Sequence, residues 1–185
     1  MKFRHFLWLL LAFFFEQVAA VDLTNSIFEE VGNQKGIDPY LLYSVALAES
    51  AYSPTNNGWV APYRYTLRTF DRPYYTNSKE EAEKLLTELL KTHKSIDVGL
   101  MQINVKWHAH RIYKPTDLLD ARVNLSVGAD ILKERLSANK NNLFEALGQY
   151  HSFDPNRGYR YASLVINIYN QLQNVTPKQP SLLIW

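Results

Sequence analysis

Apolar residues recur at helical spacing over most of the chain, and capping and stop signals bound the segments that carry them. Segment 23–34 is followed by Gly36, a common helix stop. Asp38 as N-cap and Pro39 at the first helical position begin a second predicted helix, which runs to about Ala51. Four further helices are predicted at 78–93, 120–138, 143–152 and 157–173. The sequence therefore predicts a mainly α fold.

One stretch between the helices has a different pattern. From Ser53 to Asn77 the helical period is lost, and turn-forming residues precede the segment WVAPYRYTLRTFDRPYYT. This segment alternates and is rich in β-formers, so it predicts a short β-hairpin.

The first twenty residues have the pattern of a secretory signal peptide. Lys2 and Arg4 give a basic start, an apolar run covers 6–15, and small residues end the segment at Ala20. The apolar run is too short for a membrane-spanning helix, which needs about 20 residues. We expect cleavage after Ala20 and a periplasmic protein, and an uncleaved anchor is the alternative.

The rest of the chain predicts one domain and a tail. Residues 21–174 are enough to bury a core, and we expect a monomer. Residues 175–185 contain two prolines and end in LLIW, a tail that we expect to dock on the domain or on a partner. No cysteine is present, which fits a bacterial periplasm better than a disulfide-rich secreted scaffold, and a formal net charge of +2 gives no sign of nucleic-acid binding.

Glu49 occupies an unusual place in the second predicted helix. It follows Leu42 by seven positions, which puts it within about 20° of the apolar face. It also lies near the negative C-terminal end of the helix dipole. Both effects favour a protonated carboxylic acid, the form that a general acid needs for glycosidic bond cleavage. The alternative is a glutamate at the border of this face that points into solvent.

The segment SIDVGLMQIN, 95–104, interrupts the helical pattern. Gly99 would allow a backbone to approach a flat ligand, and Gln102 and Asn104 offer donor and acceptor groups suited to hydroxyl and acetamido substituents. Asp97 has two interpretations. It either caps a short helix that carries GLMQ, or it is a second carboxylate that would allow hydrolysis by water.

Four motifs together resemble the soluble lytic transglycosylase (SLT-domain) family: Ala48-Glu49-Ser50, GLMQIN at 99–104, ALGQY at 146–150, and Tyr161. The resemblance implies a lysozyme-like fold. The sequence departs from the family in having the predicted hairpin and the helix at 78–93 inserted between Glu49 and GLMQ. The resemblance further implies cleavage of the MurNAc–GlcNAc β-1,4 bond of peptidoglycan, with 1,6-anhydroMurNAc ends, no cofactor and no metal. His108 and His110 stand two residues apart, which does not suggest a metal site.

The resemblance also assigns roles to residues. Glu49 would be the acid and then the base. The substrate groove would be lined by Ser50, Gly99, Met101, Gln102, Asn104, Tyr150 and Tyr161. His151 and Phe153 stand where the family usually has asparagine and glycine.

More narrowly, the wording of SIDVGLMQIN, the following WH and the YHS at 150–152 resemble transglycosylases of conjugative elements and type IV secretion machinery. Peptidoglycan strands and components of such machinery are the expected partners. Two other functions stay open: a hydrolytic muramidase, and a non-catalytic peptidoglycan-binding assembly factor.

Overall fold

The computed structural model describes residues 21–53 and 60–175. The predicted signal peptide, part of the turn before the hairpin and the predicted C-terminal tail beyond residue 175 lie outside the described residues. Helix accounts for 59% of what is described, so the predicted mainly α fold is confirmed. None of the helices in these two ranges is both long and apolar enough to cross a membrane.

Six α-helices are present in the described ranges: α1 (Ile27–Lys35), α2 (Pro39–Ser50), α3 (Lys79–Leu89), α4 (Ala121–Ala138), α5 (Leu143–His151) and α6 (Pro155–Val175). The strands are β1 (Ala51–Tyr52), β2 (Ala61–Pro62), β3 (Thr66–Arg68), β4 (Pro73–Tyr75), β5 (Asp97–Val98) and β6 (Ile103–Asn104). Two short 3₁₀ helices, Ala109–Arg111 and Pro115–Leu119, lead into α4.

Most helix boundaries agree with the sequence signals. Gly36 ends α1 in the left-handed conformation, with φ of 66°, which costs glycine little. α1 begins four residues later than segment 23–34, because Ser26 provides its cap. Side-chain oxygen atoms accept the free N–H groups at five helix starts: Ser26, Asp38, Ser78, Asp120 and Asn142.

The strands form two antiparallel sheets. β1 pairs with β2, and the larger sheet has the order β4-β3-β5-β6. The β3–β4 pair, with Leu67 opposite Tyr74, is the predicted hairpin. β5 and β6 form a second hairpin whose turn is 99–102, the GLMQ segment. The interpretation of GLMQ as a short helix capped by Asp97 is therefore wrong, because Asp97 pairs with Asn104 in this hairpin.

The core lies between the helices and the larger sheet. α2 packs against α1 and α6, and α4 packs against α1 and α5. The buried face of α2 includes Leu42, Val45 and Ala46, all without solvent exposure. This is the apolar face on which the sequence places Glu49. The active-site candidate therefore lies at the end of a buried helix face.

One polar side chain connects the GLMQ turn to the helical core. The carboxamide of Asn124, 1% exposed, accepts from Met101 N at 2.8 Å. It donates to the carbonyl oxygen atoms of Val98 and Leu118, both at 2.8 Å. All three partners are backbone groups, so these bonds fix the position of the turn whatever its side chains are.

The Asn124 contacts predict a large loss of stability for Asn124→Asp. A carboxylate oxygen would replace the amide donor and face two carbonyl oxygen atoms. We expect the free energy of unfolding to fall by about 2–4 kcal/mol in urea unfolding. Asn170→Asp makes the same chemical change on an exposed position of α6 and should change it by less than about 0.5 kcal/mol. Equal stability of the two variants would contradict the role of Asn124.

Candidate active site

Glu49 lies in the last turn of α2 and is largely shielded from solvent. Its side chain is 14% exposed, between the buried core residues of α2 and the surface. A glutamate that points freely into solvent would be far more exposed, so the solvent-facing alternative does not describe this side chain. A carboxyl group that is shielded but not fully buried is suited to proton transfer to a bound ligand.

Two rings from the C-terminal helices stand beside Glu49. His151 Nδ1 is 3.8 Å from Glu49 Oε1. The imidazole ring is stacked on the ring of Tyr161, with centroids 4.5 Å apart and planes 4° apart. Tyr161 is 4% exposed, and its hydroxyl makes no hydrogen bond of regular geometry with the described residues. Burial mainly, and then the negative charge of Glu49, hold the pKa of Tyr161 well above its ordinary value, so this hydroxyl is neutral at neutral pH.

Tyr150 links α5 to the GLMQ turn. Its hydroxyl donates to the carbonyl oxygen of Met101 at 3.0 Å. Burial is the main reason that the pKa of Tyr150 lies well above its ordinary value, and the carboxylates of Glu49 and Asp97 raise it further. Tyr150 therefore remains a neutral hydrogen-bond donor, and it lies close to both carboxylates.

Within the GLMQ turn, Gln102 carries the side-chain atom that has no hydrogen-bond partner among the described residues. Its amide nitrogen donates to Gly99 O at 2.9 Å and weakly to Thr66 O at 3.3 Å, which fixes the carboxamide plane. Its Oε1 is buried and accepts no hydrogen bond from the described chain. The backbone of Gln102 has φ of 45°, a conformation that is uncommon for residues other than glycine. An uncommon backbone conformation together with an unpaired side-chain acceptor is typical of a functional site.

Three of the predicted groove residues lie beneath the surface. Ser50 is 2% exposed, donates to Leu100 O at 2.8 Å and accepts from Tyr63 N at 3.2 Å. The Met101 side chain is fully buried. At Gly99, with φ of 77°, a Cβ atom would lie 2.8 Å from the carbonyl oxygen of Leu118. The structure thus explains this glycine by close packing inside the protein, whereas the sequence suggested approach of a ligand.

Asp97 and Asn104 form a polar pair on adjacent strands of the β5–β6 hairpin. Asn104 Nδ2 donates to Asp97 Oδ1 at 2.7 Å and to Ser95 Oγ at 2.8 Å. Burial is the main influence on Asp97 and raises its pKa; the hydrogen bond from Asn104 opposes this effect, and the negative charge of Glu49 adds to it. The two carboxylates that the sequence proposed for the site therefore face the same region.

The inserted segment adds aromatic rings next to the site. Tyr52, three residues after Glu49, stacks on Tyr75 with centroids 4.4 Å apart and planes 16° apart. Tyr63 lies against both rings, and its hydroxyl donates to Thr76 O at 2.6 Å. This aromatic cluster holds β1 against the β3–β4 hairpin.

The side-chain contacts of His108 and His110 are with each other and with Arg111 rather than with the residues around Glu49. Arg111 Nε donates to Nδ1 of His108 at 3.3 Å, and burial lowers the pKa of His108. No group of three or more His, Cys, Asp or Glu side chains that could hold a metal ion occurs within residues 21–53 and 60–175.

Sequence reasoning brought together Glu49, Asp97, Gln102, Tyr150 and Tyr161 but did not assign two residues of the site. His151 was noted only as a departure from a motif, because its stacking on Tyr161 of another helix leaves no signal in the local sequence. Asn124 gives no local signal, since it looks like any polar residue in a helix.

The family comparison agrees with this geometry. The model of the transglycosylase SLT domain matches residues 26–157, which is more than half of the chain. No curated protein and no solved structure matches the chain. The match includes Glu49, the GLMQ turn and Tyr150, and the mainly helical structure with small antiparallel sheets has the expected lysozyme-like fold. The chain therefore belongs to the transglycosylase SLT domain family.

Proposed function

We propose that the protein is a peptidoglycan lytic transglycosylase in which Glu49 cleaves the MurNAc–GlcNAc β-1,4 bond. The observation that carries the proposal is the placement of the shielded Glu49 carboxyl group beside the GLMQ turn, to which the adjacent Ser50 and Tyr150 are hydrogen-bonded. Family membership supports action on peptidoglycan.

The reaction needs one protein carboxyl group. Protonated Glu49 donates its proton to the glycosidic oxygen as the bond to the anomeric carbon breaks. The N-acetyl carbonyl of MurNAc stabilises the cationic centre, and the 6-hydroxyl of the same sugar attacks it while Glu49 takes up the hydroxyl proton. Because this attack is intramolecular, orientation of the sugar replaces a second encounter, an effect worth up to about 7–11 kcal/mol in well-aligned systems.

The turn and the tyrosines provide that orientation. Gln102 donates from its amide nitrogen to Gly99 O, and this bond across the turn helps to fix the backbone beside Glu49. Tyr150 donates to the carbonyl oxygen of Met101, and Asn124 accepts from the N–H group of the same residue. The floor of the site is therefore rigid before the substrate binds.

A hydrolytic muramidase is the second candidate, and Asp97 is the reason to consider it. Its charge interaction with Glu49 puts a second carboxylate in the same region, as water activation requires. However, Asp97 Oδ1 already accepts a hydrogen bond from Asn104 Nδ2 at 2.7 Å, so this oxygen is engaged with the hairpin and is not free to take a proton from water. A solvent-facing Glu49 would favour a non-catalytic binding protein, but this side chain is only 14% exposed.

The biological setting is part of the proposal. The signal-like sequence before Val21 supports export to the periplasm with cleavage after Ala20, as a monomer. The wording of 95–104 and of 150–152 supports local opening of the wall for a conjugation or type IV secretion apparatus.

Glu49→Gln tests the acid. The amide has nearly the same shape but no proton to transfer, so release of soluble muropeptides from purified peptidoglycan should fall at least about 100-fold. Thermal unfolding should remain close to the wild-type curve. The matched control is Glu145→Gln, on an exposed position of α5, which should keep full activity. Activity of Glu49→Gln equal to that of the control would refute the assignment.

The products decide between the two enzymes. Mass spectrometry should find 1,6-anhydro ends, lighter by one water than reducing ends and unreactive toward borohydride. Asp97→Asn should retain activity within about tenfold, because the new amide oxygen still accepts from Asn104. Reducing products, together with an inactive Asp97→Asn variant, would establish the muramidase instead.

A further inference from the structure

His151 is held in a fixed orientation next to the proposed acid. It is the last residue of α5, and the next residue, Ser152, donates its N–H to Gly148 O at 2.9 Å. The parallel stack on Tyr161 fixes the plane of the imidazole. Nδ1 then faces Glu49 Oε1 at 3.8 Å, a distance at which a charged imidazole and a carboxylate form an ion pair.

The groups around this imidazole are mostly anionic or neutral. Glu49 lies on the α2 side of the ring. Asp97 of β5 also interacts with His151, and this charge interaction offsets a small part of the rise in the pKa of Asp97 that burial causes. Tyr161 of α6 and Tyr150 of α5 carry neutral hydroxyl groups at neutral pH. The positive charge of Arg68, on β3, interacts with the Asp97 carboxylate. The partial negative charge at the C-terminus of α5 adds to the two carboxylates.

We propose that His151 is a positioning residue for Glu49, which it orientates and whose carboxylate its charged imidazole stabilises as that carboxylate forms. This inference rests on the proposed function. When the Glu49 proton moves to the leaving oxygen, the negative charge remains on Glu49, 3.8 Å from Nδ1. No proton passes through His151 in this step.

The charged imidazole has two effects of opposite sign on the rate. It stabilises the carboxylate that remains on Glu49 after proton transfer, which speeds this step. It stabilises the same carboxylate before the reaction, so the alkaline limb of the pH–rate profile should lie at lower pH with this charge than without it. A residue that only supports the fold would change the rate without moving this limb.

His151→Phe separates these effects, because phenylalanine keeps a ring for Tyr161 and removes Nδ1 and its charge. We expect the rate on the acidic plateau to fall by about two- to tenfold. We expect the alkaline limb to move to higher pH, because the positive charge beside the Glu49 carboxylate is gone. His151→Asn, which retains a neutral donor, should show the same movement of the limb.

His93→Phe is the matched control. His93 Nε2 lies 3.8 Å from the Asp71 carboxylate, so the chain offers a second histidine–carboxylate pair at the same distance without Glu49. This variant should leave both the plateau and the limb unchanged. An unmoved limb in both His151 variants would overturn the proposal.

A second measurement does not depend on activity. The His151 ring signals in NMR should show an additional inflection with pH that reports ionisation of the adjacent carboxylate. Glu49→Gln should remove this inflection, and Asp71→Asn should remove only the corresponding one of His93. An inflection at His151 that persists in Glu49→Gln would overturn the pairing. If Glu49→Gln stays active while the inflection is lost, the pairing stands and the proposed function fails.

Discussion

The buried carboxamide of Asn124 is the contact on which the arrangement of the site depends. Its three bonds to backbone groups of Val98, Met101 and Leu118 join the β5–β6 hairpin to α4 and to the 3₁₀ helix before it. Two further side chains from other helices reach the same turn: Ser50 donates to Leu100 O and Tyr150 donates to Met101 O. Backbone polar groups that are buried must be paired, so the turn is specified by the side chains that pair them.

This arrangement changes the interpretation of the GLMQ motif. The sequence indicated a set of ligand contacts, yet Met101 packs in the core and Gly99 makes room for a neighbouring carbonyl group. Only Gln102 of the four carries a side-chain acceptor that the described residues leave unpaired. The motif therefore combines packing residues with one residue whose side-chain acceptor is unpaired, and a motif match alone does not distinguish these two kinds of residue.

The sequence predicted the helices and their starting residues better than the tertiary contacts between helices and strands. Asp38, Pro39 and Ser78 mark helix starts through local capping, and Glu49 is placed by helical spacing alone, so these predictions need no tertiary information. The structure of 95–104 depends on pairing of β5 with β3, whose partner Leu67 is some thirty residues away. The Asp97 cap was wrong for this reason. The stacking of His151 on Tyr161 joins two helices and has no signature within either of them.

The tie between Tyr150 and Met101 has a consequence for folding. Ser50 contacts Leu100 across 50 positions, and Tyr150 contacts Met101 across 49. Contacts of such sequence separation form late, because the chain entropy of closing long loops must be overcome before they stabilise anything. A chain that ends before α5 would keep the Asn124 and Ser50 contacts to the turn but would lack Tyr150, His151 and Tyr161, which surround the proposed acid. We therefore expect the capacity to cut the wall to arise only once nearly the whole domain has folded.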